Sequence, residues 1–178
     1  MSEKYEVVLV GGGTAGISVA ARLCKRGIEV AIIEPSDVHY YQPLWTLVGG
    51  GILPKEDTRR FESDYIPKDA VWIKERVTEF SPDSNSVLTA SGKQIGYNYL
   101  VVCLGIQIDW EKIKGLPESI GKDGVCSNYS YKYVDKTWEF IKATTRGNAI
   151  FTQPNTPIKC GGAPQKICYL AEDYFRSE

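Results

Sequence analysis

The chain has 178 residues, 43% of them hydrophobic, with a formal net charge of -1. That is enough material for one domain, or for one domain plus part of another, while the near-zero charge gives no electrostatic case for nucleic acid or an anionic membrane. No apolar run approaches the roughly 18–20 residues of a bilayer span, and five cysteines without a CxxC pair argue against a secreted disulfide framework and an ordinary zinc site.

The first strand is expected at residues 5–10 (YEVVLV), a β-branched apolar run of the kind buried in parallel sheets. It starts so close to Met1 that no signal or transit peptide is expected ahead of it. Gly11-x-Gly13-x-x-Gly16 follows as a turn, and Ile17, Ala20, Ala21 and Cys24 then fall on one face of a helix ending near Gly27. A second strand is expected at 28–33, closed by Glu34 and Pro35. Strand, glycine turn, helix, strand and terminal acid make a βαβ unit with a dinucleotide fingerprint. Gly11 makes the tight turn, Gly13 lets backbone approach a pyrophosphate, and Gly16 lets the helix pack on the strand. The helix N-terminus offers N–H groups to phosphate. Glu34 is placed to accept from a ribose hydroxyl, and an acid there disfavours the 2′-phosphate of NADP.

Residues 35–67 read as irregular, with the aromatic stretch His39-Tyr-Tyr-Gln-Pro-Leu-Trp45 and then three glycines, Gly49 to Gly51. Strands are expected at 71–80, 86–89 and 93–97, and a further buried strand at 99–105. Residues 106–133 are turn-rich and read as a connection. A helix is expected at 135–145, a strand at 149–152 and a helix at 163–176. The last strand–turn–helix has the outline of a second dinucleotide-binding start, but its loop lacks GxGxxG. That loop instead holds Lys159-Cys160-Gly161-Gly162. A thiol beside a cation at a helix entrance has its ionised form favoured. Cys24, Cys103 and Cys168 read as packing residues, whereas Cys126 is left open between packing and function. His39 is the single histidine, so chemistry here leans on a cofactor or on sulfur. His39, Tyr40, Tyr41 and Trp45 read as packing around that cofactor.

The fingerprint, the segment Tyr41-Gln-Pro-Leu-Trp-Thr-Leu-Val-Gly49, the 97–105 strand and Ile158-Lys-Cys-Gly-Gly-Ala-Pro-Gln-Lys166 together resemble the sulfide:quinone oxidoreductases of mitochondria and their bacterial relatives. The resemblance implies an α/β protein: a Rossmann-like FAD-binding domain with a three-layer ββα nucleotide fold, then the start of a second Rossmann-like domain. On that reading residues 1–110 are an incomplete FAD-binding region, and 111–178 are a connection with the first βα unit of the second domain. The chain covers only the first two-fifths of such an enzyme and reads as a fragment. The resemblance further implies FAD contacts at Thr14, Ala15, Glu34, Gln42, the backbone of Val77, Gly105 and Ile106. It makes Cys160 the first of two redox cysteines, the second lying beyond position 178. Hydrogen sulfide would be oxidised to a cysteine persulfide, with two electrons passing through FAD to ubiquinone or another quinone. The sulfur would leave to a small acceptor such as glutathione or sulfite. Membrane contact would come from a C-terminal part outside this sequence, at the mitochondrial inner membrane in a eukaryote or the cytoplasmic membrane in a bacterium. Two alternatives remain: an NAD(P)H-dependent flavin reductase or type II NADH dehydrogenase, which calls for a second glycine fingerprint near 153–165, and a non-catalytic nucleotide-binding module.

Overall fold

A computed structural model describes residues 3–153, 155–158 and 160–178. Its contacts divide into two compact units. The first comprises residues 1–40 and 60–107; the second comprises 41–59 and 108–178.

In the first unit a six-stranded sheet runs in the order β5 (Ala70–Ile73), β2 (Val30–Ile33), β1 (Glu3–Val10), β8 (Gln94–Val102), β7 (Ser86–Thr89) and β6 (Val77–Ser81). The strands β3 (Val38–Tyr40) and β4 (Arg59–Phe61) lie outside it. Strands β5, β2, β1 and β8 are parallel, whereas β6, β7 and the start of β8 form an antiparallel meander. Side chains on β1 alternate between two cores, which is why its sequence reads as an unbroken apolar run. Val8 and Val10 pack with Ala31, Ile33, Ile73, Val87, Ile95 and Tyr97 on the meander side. Val7 and Leu9 pack with Val30, Ile32 and Ala20 of α1 (Thr14–Cys24) on the other. Helix, parallel sheet and meander are therefore the three layers expected of the ββα fold. Each buried valine or leucine at the sheet centre contributes roughly 1.5–3 kcal/mol by leaving water.

Three strand expectations need correction. The run 71–80 is two strands, because β5 pairs in parallel with β2 while β6 pairs antiparallel with β7, and the chain must break at residues 74–76 between the two roles. The runs 93–97 and 99–105 are one strand, β8, whose first half serves the meander and whose second half serves β1. That second half is not buried: Tyr99 is 67% and Val102 55% exposed. Pairing with β7 stops at Gly96, so one edge beyond it has no strand neighbour among the described residues.

The second unit is helical. It contains α2 (Trp45–Gly49), α3 (Leu116–Ser119), α4 (Val134–Ala143) and α5 (Ala163–Ser177). Trp45 and Val48 pack with Val134, Leu53 and Tyr131, and the Trp45 indole N–H donates to Thr58 Oγ1 at 3.1 Å. Trp45 is thus a core residue of this unit. Gly49, Gly50 and Gly51 are close-packing positions: added methyl groups would strike Asn128, Leu170 and Trp138 in turn. Ile141, Ile167 and Ala171 join α4 to α5. The strand expected at 149–152 is irregular, since a parallel strand takes its hydrogen bonds from neighbours and none pairs with it among the described residues.

Candidate functional site

The glycine turn between β1 and α1 is shaped by backbone crowding. Gly11 has φ +104°, and a Cβ there would run into the carbonyl of Cys103; on Gly16 it would run into the carbonyl of Gly11. The Gly11 N–H donates to the Ile33 carbonyl at 3.0 Å, which pins the turn to the end of β2. Gly13 differs: a Cβ there meets nothing within 4 Å. Nothing inside the unit requires glycine at that position, so the backbone there is open to approach from outside. Gly13 is also the residue capping α1, and its carbonyl accepts the Ile17 N–H at 3.1 Å. Thr14 and Ala15 form the first turn of α1 and are exposed.

Glu34 follows β2 immediately and closes on this turn. Its Oε2 accepts the Gly12 N–H at 2.8 Å and its Oε1 accepts the Ser36 N–H at 2.8 Å. Gly12 is glycine because the Glu34 side chain lies against it: a Cβ there would stand 2.7 Å from Glu34 Cβ and Cγ. Val77 opens β6 and packs half-buried against the meander-side core. Gly105 (φ +73°) and Ile106 follow β8 in an open segment, with Ile106 54% exposed.

A feature absent from the sequence reading stands behind the turn. His39 on β3 and Glu62, the first residue of a 3-10 turn at Glu62–Asp64, are 8% and 2% exposed. His39 Nδ1 lies 3.2 Å from Glu62 Oε2, and His39 Nε2 lies 3.4 Å from Thr14 Oγ1. Glu62 Oε1 is buried without a hydrogen-bond partner. Burial, with Glu34 nearby, pushes the Glu62 carboxyl up to about 7, and burial lowers the His39 imidazole. The lone histidine was a usable signal in the sequence; Glu62, one acid among 22 acidic residues, gave none.

Two sequence-selected residues belong to the second unit. Gln42 begins a 3-10 turn, Gln42–Leu44, just ahead of α2. Cys160 is exposed and unoxidised, three residues before α5, with its carbonyl accepting the Ala163 N–H at 3.1 Å. Gly161 and Gly162 beside it are uncrowded; the nearest atom to a Cβ on Gly162 is Cys160 Sγ at 3.7 Å. Lys159, singled out as its neighbouring cation, lies outside the described residues. Cys24, Cys103, Cys126 and Cys168 are partly buried, and burial raises the Cys24 and Cys126 thiols.

Comparison with known proteins adds four findings. The sequence is 55% identical over 175 residues to the mitochondrial sulfide:quinone oxidoreductase of Dictyostelium discoideum, covering 96% of this chain and 39% of that protein. It is 53% identical over 174 residues to the mitochondrial enzyme of the same name from Mus musculus, with 97% and 39% coverage. Its fold matches the sulfide:quinone oxidoreductase structure from Aquifex aeolicus with a TM-score of 0.65 at 25% identity, over 80% of this chain and 32% of that one. The chain thus spans about two-fifths of the length of the curated relatives it matches. Residues 5–137 match the pyridine nucleotide-disulphide oxidoreductase family, a stretch that runs from β1 through the glycine turn, Glu34 and β8. With the three-layer fold and the open Gly13 turn in place, the chain belongs to the pyridine nucleotide-disulphide oxidoreductase family, a membership that implies a flavin cofactor.

Proposed function

We propose that this chain is the FAD-binding portion of a sulfide:quinone oxidoreductase, with residues 1–110 holding the adenosine half of FAD and residues 111–178 carrying the reactive sulfur. The observation that carries the reading is the high identity to two such enzymes across nearly the whole chain. The open Gly13 turn supports a pyrophosphate there: Gly11, Gly13 and Gly16 shape the turn, and the Thr14 and Ala15 N–H groups face the phosphates. Glu34 already spends its two oxygens on the Gly12 and Ser36 amides, but each carboxylate oxygen keeps a further lone pair for a ribose hydroxyl. Gln42, Val77, Gly105 and Ile106 complete the proposed contact set.

When bound, FAD supplies a two-electron acceptor. Cys160 supplies the sulfur chemistry. Hydrosulfide attacks a disulfide joining Cys160 to a second cysteine, one sulfur keeps the added atom as a persulfide, and the other leaves as a thiolate. Exposure of Cys160 gives an anionic nucleophile the access that this attack needs. Once the persulfide sulfur has passed to a small acceptor such as glutathione or sulfite, the two cysteine thiolates re-form their disulfide, and the two electrons this releases would pass through the flavin to a quinone. The mitochondrial naming of the relatives supports a mitochondrial location, and the proposal places the protein at the periphery of the inner membrane.

The decisive experiment is anaerobic reduction of the whole flavoprotein that carries this chain. Sulfide is expected to bleach the flavin band, added soluble quinone to restore it, and Cys160→Ser to abolish the bleaching. Bleaching by NADH with no response to sulfide would refute the reading and favour an NADH-dependent reductase.

A further inference from the structure

Two carboxylates flank Gly12 in the first unit. Glu34 accepts its N–H at 2.8 Å, and Glu62 Oε1, buried and unpartnered, would lie 3.2 Å from a Cβ placed on it. From Glu62 a hydrogen-bonded chain leads through His39 to Thr14, the first residue of α1 at the mouth of the glycine turn. We propose that Glu62, His39 and Thr14 form a proton-controlled relay that decides whether the Thr14 hydroxyl donates to, or repels, the pyrophosphate of a bound dinucleotide. This rests on the proposal that the turn holds FAD.

The argument is one of donors and acceptors. Imidazole has two distinct nitrogens, and the state of one is set by the partner of the other. Nδ1 faces Glu62 and Nε2 faces Thr14. With two exchangeable protons on the pair, one lies between the Glu62 carboxyl and Nδ1, and the other sits on Nε2. This holds for the ionic and the neutral pair alike. Nε2–H then donates to Thr14 Oγ1, and the hydroxyl proton is free to point at a phosphate oxygen. When one proton is lost to solvent, the remaining one stays between Nδ1 and the carboxylate. Nε2 now presents a lone pair and accepts a hydrogen bond from the Thr14 hydroxyl, so Thr14 Oγ1 turns a lone pair toward the anion. The same three side chains thus change from a phosphate donor to a phosphate-repelling acceptor.

The surroundings set where this occurs. Glu34 acts on both members of the pair and favours the protonated forms. The Tyr65 ring lies 5.2 Å from the imidazole, and the Asp37 carboxylate is held by Lys74 at 2.5 Å. Burial sets the carboxyl near 7, so the loss falls around neutral pH. A pyrophosphate that prefers the donor form must raise that midpoint, and dinucleotide affinity is then full below it and declines as pH rises through it.

His39 is the single histidine of the chain, so histidine-selective 15N NMR reports the relay without ambiguity. The chain is titrated from about pH 5.5 to about 9, with and without saturating FAD, whose pyrophosphate stays ionised throughout. A proton on Nε2 at low pH, its loss near neutrality, and a midpoint raised by at least about one unit with FAD are expected, which corresponds to roughly tenfold weaker binding at high pH. Thr14→Ser is expected to keep this pH dependence and Thr14→Val to lose it. A ring bearing its proton on Nδ1 alone at every pH overturns the relay, as does a Thr14→Val variant with the unaltered FAD pH profile. If the Gly12 and Thr14 amide resonances do not respond to FAD, the cofactor reading itself falls and the relay with it. If they respond while the histidine titration stays fixed, the relay alone is refuted.

Discussion

The turns that open α1 and α5 both end in glycine, yet glycine serves them differently. In the turn before α1 and the first turn of that helix, three of the four glycines are imposed from inside: carbonyls of Gly11 and Cys103 and the Glu34 side chain occupy the space a methyl group would need. Before α5, among the described residues, a methyl group on Gly161 would meet no atom within 4 Å and one on Gly162 only the neighbouring thiol. The first turn is bolted between two strands and a helix. The second is a loose approach that leaves Cys160 exposed. A rigid turn suits a cofactor that must be held in one register, whereas an accessible loop suits a sulfur that must meet substrate and partner. The difference teaches that a glycine-rich sequence is not one device, since the packing behind it decides what the glycines are for.

The comparison is broken most severely at Gly16. Gly16→Ala forces α1 off the Gly11 carbonyl and is expected to cost on the order of 3 kcal/mol in chemical denaturation. A variant as stable as the parent would show that the first turn is as loose as the second.

A smaller effect is expected from the buried pair behind the first turn. Glu62 has a raised folded pKa, so alone it would stabilise the fold below its unfolded value of 4.5 and lose that contribution as pH rises to about 7. His39, lowered by burial, has the opposite slope: below its ordinary 6.5 the unfolded chain gains a proton that the folded one resists. From just below about pH 6.5 downward the two slopes oppose each other, because folding moves a proton from imidazole to carboxyl. The stability of the parent chain should therefore depend on pH less steeply there than with either group alone. Glu62→Gln should unmask the histidine slope and lose stability as pH falls, seen in denaturation midpoints across that window. A parent curve already sloped like the variant would refute the coupled pair.

The smallest effects belong to the second turn. Gly162→Ala and Cys160→Ser should each change stability by less than about 0.5 kcal/mol, while Cys160→Ser is expected to remove the fastest-alkylating thiol, the exposed one. If Cys160→Ser unfolded the chain, the cysteine would be a packing residue after all.

Legibility in the sequence followed how local each cause was. The βαβ unit was readable because β1 alternates between two cores and its glycines stand at fixed spacing on one stretch of chain. The helices α4 and α5 were readable from their own periodicity. The 149–152 strand was misread because strands draw their hydrogen bonds from elsewhere. The 71–80 run was misread because neighbouring residues joined opposite partners in the sheet. At the site, Glu34 was legible from its spacing after Gly16, whereas its bond to Gly12 was not.

The sequence by itself determined the nucleotide fold, through hydrophobic periodicity and a glycine turn whose geometry is fixed by covalent chemistry. It also determined the candidacy of Cys160, through residue type and neighbours. Only the tertiary structure decided that Gly12 must yield to Glu34, that Gly13 alone opens outward, and that Glu62 is buried against His39 behind Thr14. Those relations join residues 22 to 25 positions apart. A contact across such a gap exists only once the chain has folded, and the cost of burying a charge is set by neighbours that sequence order does not name.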